Sequence, residues 1–253
     1  MTPLYEGKAK RLFATEHPEE LLMEFKDSAT AFNGAKMAEF ENKGRFNKAL
    51  TTLLYRALEA RGVPTHYVRD AGDIAIVVKR VQIIPIEVVV RNVIAGSLAK
   101  RLGRPEGERL PAAIVELYFK DDALGDPMIN DEHVGVLGLA TADELQRLKE
   151  FGRRVNSLLT EIFAGAGLTL VDFKLEFGRL ASDPGALVLA DEISPDTCRL
   201  WDAVTGERMD KDRFRRDLGG VMESYAEVLR RLEQELSHPT SSDTPSPTPT
   251  HHP

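Results

Sequence analysis

Two stretches in the last third of the chain decide how it folds: LVDFKLEFG at 170–178 and LVLADEISPDTCRLWD at 187–202. In the first, Val171, Phe173, Leu175 and Phe177 alternate with Asp172, Lys174 and Glu176. A strand repeats its side-chain direction every two residues, so the three ionisable groups share one face. The second stretch follows Asp183, Pro184 and Gly185, turn-forming residues that make the pair a β-hairpin. Asp191 and Glu192 close its apolar run. Two carboxylates from neighbouring strands, Glu176 and Asp191, suit a hard cation bound through oxygen, and Mg2+ commonly completes its shell with phosphate oxygens and water. Alternation alone equally describes a half-buried strand with a solvated charged face.

Before this hairpin, short apolar stretches from Leu4 to Lys26, broken by Gly7 and His17-Pro18, predict strands joined by turns. Phe46, Leu50, Leu53, Leu54, Ala57 and Leu58 recur at helical spacing, with Gly62 past the end. Ile74–Val78 and Ile83–Val90 are β-branched runs expected to be buried strands, with Pro85 at an edge or bulge. Thr141 and Glu144 form a capping box for a helix that continues through Leu145, Leu148, Val155, Leu158, Leu159 and Ile162 to Gly165. A final helix is expected after Asp210 as N-cap, with Phe214, Leu218, Val221, Tyr225, Leu229 and Leu232 on its buried stripe. Clustered strands with a few long amphipathic helices, without regular alternation, predict an α+β fold with the helices packed on antiparallel sheets.

Three further segments carry chemistry-bearing residues. Gly7-Lys8-Ala9-Lys10 places two ammonium groups beside a flexible turn, where they suit a polyphosphate; neither a Walker A motif nor a dinucleotide fingerprint is present. In Ile84–Ser97, Arg91 leaves a hydrophobic strand and Gly96-Ser97 starts a short helix, an arrangement suited to a phosphate monoester. Asp126 to Asn130 reads as a polar turn, with His133 in a loop beyond it. No Ser-His-Asp or Cys-His arrangement is spaced for nucleophilic catalysis.

The whole-chain numbers agree with a globular protein handling small anions. Its 253 residues carry 33 basic and 40 acidic side chains, a net charge of −7, so no basic footprint for duplex nucleic acid exists and any anionic ligand needs a local cluster of cations. One cysteine, Cys198, leaves no intrachain disulfide framework and no cysteine-based zinc site. With no apolar leader and no long apolar run, a cytoplasmic protein without membrane contact is expected. Residues 237–253, SHPTSSDTPSPTPTHHP, are expected to form a disordered tail in which His251 and His252 are incidental.

Taken in order, YEGKAK (5–10), IPIEVVVRNVIAGS (84–97), DPMIN (126–130), LVDFKLEFG (170–178), ADEISPDTCRLWD (190–202) and DKDRFR (210–215) resemble the bacterial SAICAR synthetases over about residues 1–236. The second and fourth segments are the most specific. The resemblance implies a fold related to ATP-grasp and kinase-like nucleotide-binding architectures, with a nucleotide-covering β-rich domain at 1–80 and a substrate- and metal-binding α+β domain at 81–236. It implies an ATP-dependent ligase joining L-aspartate to carboxyaminoimidazole ribonucleotide (CAIR), with Mg2+, and a homodimer. By similarity Lys8 and Lys10 face the ATP phosphates, Lys79, Val81, Ile83 and Glu87 lie along the adenine, and Glu176 and Asp191 bind Mg2+. Arg91, Ser97 and Arg199 would grip the ribonucleotide phosphate, and Asp126, Lys174, Arg213 and Arg215 would surround the reacting and amino-acid end. Lys174 is then the candidate for stabilising charge at the reacting centre. The residues alone also admit a small-molecule or lipid kinase with a hydroxyl acceptor, or a nucleotide sensor without turnover.

The tail composition generates the first prediction: truncation after Ser237 leaves the melting temperature and turnover at wild-type values, since the removed residues offer little apolar surface to bury. A thermal melt and a steady-state assay check it, and a large fall in either shows that the segment belongs to the fold.

Overall fold

The computed structural model describes residues 2–31 and 34–237, so most of the tail expected over 237–253 lies outside the described residues. Alternating apolar residues in the first part of the chain make β1 (Tyr5–Glu6), β2 (Lys10–Ala14) and β3 (Glu20–Phe25), joined by the expected turns. A small ribbon follows, β4 (Ser28–Ala31) against β5 (Lys36–Glu39), and then helix α1 (Lys43–Glu59). Next come β6 (Tyr67–Asp70) and β7 (Ala75–Lys79), which complete an antiparallel sheet in the order β1-β2-β3-β7-β6.

The second sheet begins at β8 (Val81–Ile83) and β9 (Ile86–Val93), separated at Ile84-Pro85 as the proline requires. Helix α2 (Gly96–Leu102) ends at Gly103, whose left-handed φ of 61° closes it. There follow β10 (Arg109–Phe119), β11 (Met128–Ile129), α3 (Asp131–Val136), α4 (Ala142–Gly165), β12 (Leu168–Leu180), β13 (Leu187–Ala190) and β14 (Cys198–Asp202). The sheet order is β11-β10-β9-β12-β13. Strand β12 is its centre: its first half lies between β9 and β14 and its second half between β13 and β8. The expected hairpin is formed by β12 and β13, with Glu176 opposite Ala190. The α+β class, with long amphipathic helices on antiparallel sheets, is observed.

Thr141 and Glu144 form the expected capping box of α4. That helix lies against β12 and β9, closely enough that a Cβ on Gly152 would stand 3.1 Å from Val88 Cγ1. One apolar core runs from Leu21, Met23 and Ile76 on the first sheet, through Leu50, Leu54 and Leu58 of α1, to Val88, Phe173 and Leu159. Tyr55 of α1 also donates its hydroxyl to the Ala190 carbonyl at 2.8 Å. Helix α1 thereby ties the first sheet to the end of β13.

Two expectations are corrected. The single helix after Asp210 is two helices, α5 (Asp212–Arg215) and α6 (Val221–Ser237), because Gly219 and Gly220 take φ of 68° and 59°, outside the right-handed helical region. Leu218 is consequently exposed, and Asp210 is no side-chain N-cap of a long helix: its buried carboxylate accepts from the amides of Leu200 and Asp212. His133 is not a loop residue either. It is the third residue of α3, and its Nδ1 accepts from the Asn130 amide while Asn130 caps the His133 amide.

The pairing of β8 with β12 leaves no room for a side chain at Gly178, where a Cβ would stand 2.7 Å from Val81 Cβ. Gly178→Val is expected to destabilise the fold by about 1–3 kcal/mol through overpacking. A lowered urea midpoint with an unchanged slope is the expected reading, and an unchanged midpoint would show that the two strands separate freely.

Candidate active site

Strand β12 presents Asp172, Lys174 and Glu176 on one face, but that face is not solvated. Asp172 and Glu176 are 6% and 3% exposed, which removes the reading of a solvent-facing charged strand. Charges buried in this way are stable only when paired. Lys174 Nζ lies 2.5 Å from Glu176 Oε1 and 3.2 Å from both Glu87 Oε1 and Asp191 Oδ2, so three carboxylates from three strand segments meet on one ammonium. Lys120 reaches the same Glu176 oxygen at 2.7 Å. Lys10, from the hairpin of β1 and β2, contacts Asp191 and lies 2.8 Å from Glu192 Oε1, and Ser194 donates its hydroxyl to the other Glu192 oxygen at 2.7 Å.

These neighbours set the ionisation of the group. Burial pushes the Asp191 carboxyl up, but the ammonium groups of Lys10 and Lys174 outweigh it and hold the carboxyl well below its usual range. Burial alone would pull Lys174 down, yet Glu176, Asp191 and Glu87 raise it well above an ordinary lysine. Lys174 is therefore held in its charged form by the carboxylates around it.

The cluster forms one wall of a cavity of about 440 Å³ between the two sheets. Lys8, Lys10 and Lys79 line it together with Val81 and Ile83, so the cationic hairpin and the apolar edge expected to face a nucleotide share one space. Glu87, Asp126, Lys174, Glu176 and Asp191 line it as well. Lys8 is bound to Asp122 at 2.6 Å across its mouth. Asp126 takes a left-handed φ of 49° and accepts from the Asp121 amide, which fixes its turn.

A second recess, of about 200 Å³, is lined by Arg91, Ser97, Asp172 and Arg199. Arg91 leaves β9 buried and donates to Glu116 at 2.6 Å, Asp172 at 2.9 Å, Ser97 Oγ at 3.0 Å and Tyr118 at 3.2 Å. Arg199, on β14, donates to Asp212 at 2.8 Å and also contacts Asp172. Gly96 permits this packing: it has a φ of 53°, and a Cβ there would lie 2.7 Å from Arg199 Nη2. Lys174, Asp196, Thr197 and Arg215 line both spaces and form the partition between them.

Arg213 is not brought to the site. It donates to the Gly219 carbonyl and to Glu207, each at 2.6 Å, and lines neither cavity, which corrects its expected place at the amino-acid end. On a one-turn helix, Arg213 and Arg215 point about 200° apart, so only one can face the partition. The sequence reading omits Lys120, Glu192, Asp196, Thr197 and Lys211, all in the larger cavity wall. Lys211 carried a usable signal, standing one helical turn before Arg215; Lys120 did not, since only the pairing of β9 with β10 brings it to Glu176.

The geometry can be set beside known proteins. Residues 3–232 match the family model described as SAICAR synthetase. A phosphoribosylaminoimidazole-succinocarboxamide synthase of Akkermansia muciniphila is 60% identical over 233 residues, 92% of this chain and 99% of that relative. The protein of the same name from Deinococcus radiodurans is 55% identical over 232 residues, 92% and 97% of the two chains. The crystal structure of the Ehrlichia chaffeensis phosphoribosylaminoimidazole-succinocarboxamide synthase superposes with a TM-score of 0.90 at 45% identity, covering 92% of this chain and 98% of that one. A SAICAR synthetase in complex with ADP gives 0.88 at 50% identity, covering 91% and 97%. A match over nearly all the described residues, joined to this agreement in fold, means that the chain belongs to the SAICAR synthetase family.

Proposed function

We propose that this chain joins L-aspartate to CAIR to give SAICAR, converting ATP to ADP and phosphate, in de novo purine biosynthesis. The observation that carries the reading is the partition at Lys174. A cavity lined by lysines and carboxylates abuts a recess lined by the guanidinium groups of Arg91, Arg199 and Arg215, so an acid held by its phosphate in the recess would meet a nucleotide held in the cavity. The family and its named relatives support the same activity.

In this assignment Arg91, Ser97 and Arg199 take the CAIR phosphate. Lys8 and Lys10 face the ATP phosphates, and Lys79, Val81, Ile83 and Glu87 lie along the adenine. Residues 1–80 form the nucleotide-covering part and 81–236 the substrate- and metal-binding part. Three carboxylates converging on the Lys174 ammonium make a place that accepts positive charge through hard oxygen, as Mg2+ demands. Among the described residues no group of three or more His, Cys, Asp or Glu is arranged to hold a metal by itself; Glu176 and Asp191 are the carboxylates that would hold Mg2+. When bound, Mg2+ supplies charge neutralisation at the phosphates.

A carboxylate is a poor acyl donor until one oxygen becomes a leaving group. The CAIR carboxylate attacks the γ-phosphorus, the bond to ADP breaks, and an acyl phosphate forms. The aspartate amine then attacks the acyl carbon, phosphate departs, and loss of a proton from nitrogen leaves the amide. Positioning and charge neutralisation carry phosphoryl transfer, so a fixed ammonium such as Lys174 serves it better than a nucleophile. Asp126 stands at the reacting end. No helix among the described residues is long and apolar enough to cross a membrane; the cytoplasmic location and the homodimer belong to the proposal.

The direct test is mass detection of the succinocarboxamide product, with ADP release that requires CAIR and aspartate together. ADP release with a hydroxyl acceptor would instead indicate a kinase, and ATP binding with neither a sensor. Glu176→Gln and Asp191→Asn are each expected to lower Mg2+-dependent turnover by at least about tenfold, because they keep the shape and remove a hard anion. The measurement is turnover across a Mg2+ titration, with circular dichroism to confirm the fold; wild-type behaviour of both folded variants removes the metal assignment. Arg91→Lys is expected to raise the CAIR KM by about tenfold and spare the ATP KM, since an ammonium cannot reproduce the guanidinium fork. A rise in the ATP KM alone places Arg91 in the nucleotide site.

A further inference from the structure

Helix α1 buries polar side chains where a core-facing helix would ordinarily carry apolar ones. Lys43, Asn47, Thr51 and Tyr55 recur every four residues and so form one stripe along its side, and none is more than 1% exposed. Leu50, Leu54 and Leu58 form the neighbouring stripe, which faces the common core. Buried polar groups are tolerated where partners meet them, and three of these four find theirs on one short segment, residues 190–196. Tyr55 donates its hydroxyl to the Ala190 carbonyl at 2.8 Å, Thr51 donates to the Ile193 carbonyl at 3.3 Å, and the Lys43 ammonium lies 2.5 Å from Asp196 Oδ2. The segment thus runs antiparallel to the helix, one contact per turn or two. Asn47 makes no such contact, its buried Oδ1 being without a partner among the described residues.

Sheet pairing does not fix this segment. The register of β13 on β12 ends with Ala190 opposite Glu176, β14 begins only at Cys198, and residues 191–196 lie outside both strands. On its other side β13 is held by the chain that follows α1: the His66 amide donates to the Leu189 carbonyl at 2.8 Å, and the Leu189 amide donates to the Pro64 carbonyl at 3.0 Å. Asp191 takes a φ of 62°, a left-handed conformation that a residue with a side chain keeps only when its surroundings impose it. Its carboxylate is paired with Lys10 and Lys174, and Lys10 is assigned above to the ATP phosphates. The ties from Tyr55 and Thr51 engage backbone carbonyls and persist when that lysine moves. Neither hydroxyl belongs to a residue lining a cavity, so both are positioning groups. We propose that the polar stripe of α1 positions segment 190–196: the Tyr55 and Thr51 hydroxyls hold the backbone on either side of Asp191 and Glu192, and thereby set the separation of Asp191 from Glu176 across which Mg2+ is held. The consequence for the metal rests on the Mg2+ assignment given above.

Tyr55→Phe and Thr51→Val each delete one hydroxyl and keep the shape; Lys43 is left in place, because without it Asp196 would be buried beside one cation fewer. The probe is Mn2+, which shares the oxygen preference of Mg2+, and its binding to the enzyme with ADP is read by electron paramagnetic resonance, with circular dichroism to confirm the fold. Each variant is expected to weaken Mn2+ binding by about three- to tenfold and to raise the Mg2+ concentration for half-maximal turnover equally, while the CAIR KM stays within about twofold. Thr51→Ser keeps the hydroxyl and is expected to bind Mn2+ as the wild type does. Ser224→Ala removes another buried hydroxyl, on α6, and is expected to leave Mn2+ binding unchanged, which separates lost stability from lost position. Mn2+ binding within about twofold of wild type in both hydroxyl deletions, or equal weakening in Ser224→Ala, overturns the proposal. The metal assignment fails separately, if Asp191→Asn binds Mn2+ as the wild type does. Hydrogen exchange of the peptide spanning 189–197 then decides whether α1 holds the segment: faster exchange in Tyr55→Phe and Thr51→Val supports the positioning role, and unchanged exchange overturns it.

Discussion

The half-buried Lys174, held by three carboxylates, is the point on which the rest of the site depends. It is held on Glu87, Glu176 and Asp191, which come from β9, β12 and the end of β13, so the charge cluster exists only when those strands are in register. A slip of one residue in β12 would turn Lys174 and Glu176 into the apolar core and Phe173 and Phe177 into the cavity. The penalty for burying an unpaired charge opposes every such slip. The cluster therefore specifies register as well as chemistry, and the central position of β12 transmits that register to β8, β9, β13 and β14.

The second recess is built on the same logic with guanidinium groups. Arg91 is shared between Glu116 and Asp172, and Arg199 between Asp172 and Asp212, so Asp172 joins the two forks. Their directions are set before any ligand arrives, which reduces the ordering entropy that binding must supply. Preorganised donors of this kind favour a dianionic phosphate over bulk water because they need no reorientation. The glycine at position 96 belongs to this construction, since any side chain there would occupy the space of the Arg199 fork.

Much of this was legible locally. The face shared by Asp172, Lys174 and Glu176 follows from a period of two, and the hairpin that brings Asp191 to Glu176 follows from Asp183, Pro184 and Gly185. The burial of that face was not legible, because alternation is identical whether the charged side meets water or another sheet. The break at Gly219-Gly220 was hidden by an apolar spacing that continues across it from Phe214 to Leu232. His133 escaped because an imidazole replaces the usual Glu or Gln at the third position of a capping box. Lys120 and Glu192 come to the site through long-range pairing, which no local pattern records.

How a chain of net charge −7 takes three anionic substrates is answered within the cavity. Among the described residues its wall carries seven basic side chains, Lys8, Lys10, Lys79, Lys120, Lys174, Lys211 and Arg215, against seven acidic ones, from Glu87 to Asp196. The wall is thus balanced in formal charge, and Lys8, Lys10, Lys120 and Lys174 are each paired with its carboxylates. A nucleotide held there as proposed would draw Lys8 and Lys10 from the carboxylates that now hold them, leaving those carboxylates without partners. If Glu176 and Asp191 hold Mg2+ as proposed, the ion would supply the charge those carboxylates lose when the lysines turn to phosphate. On that proposal the balance of the wall would couple the two ligands, because binding both would exchange one set of ion pairs for another.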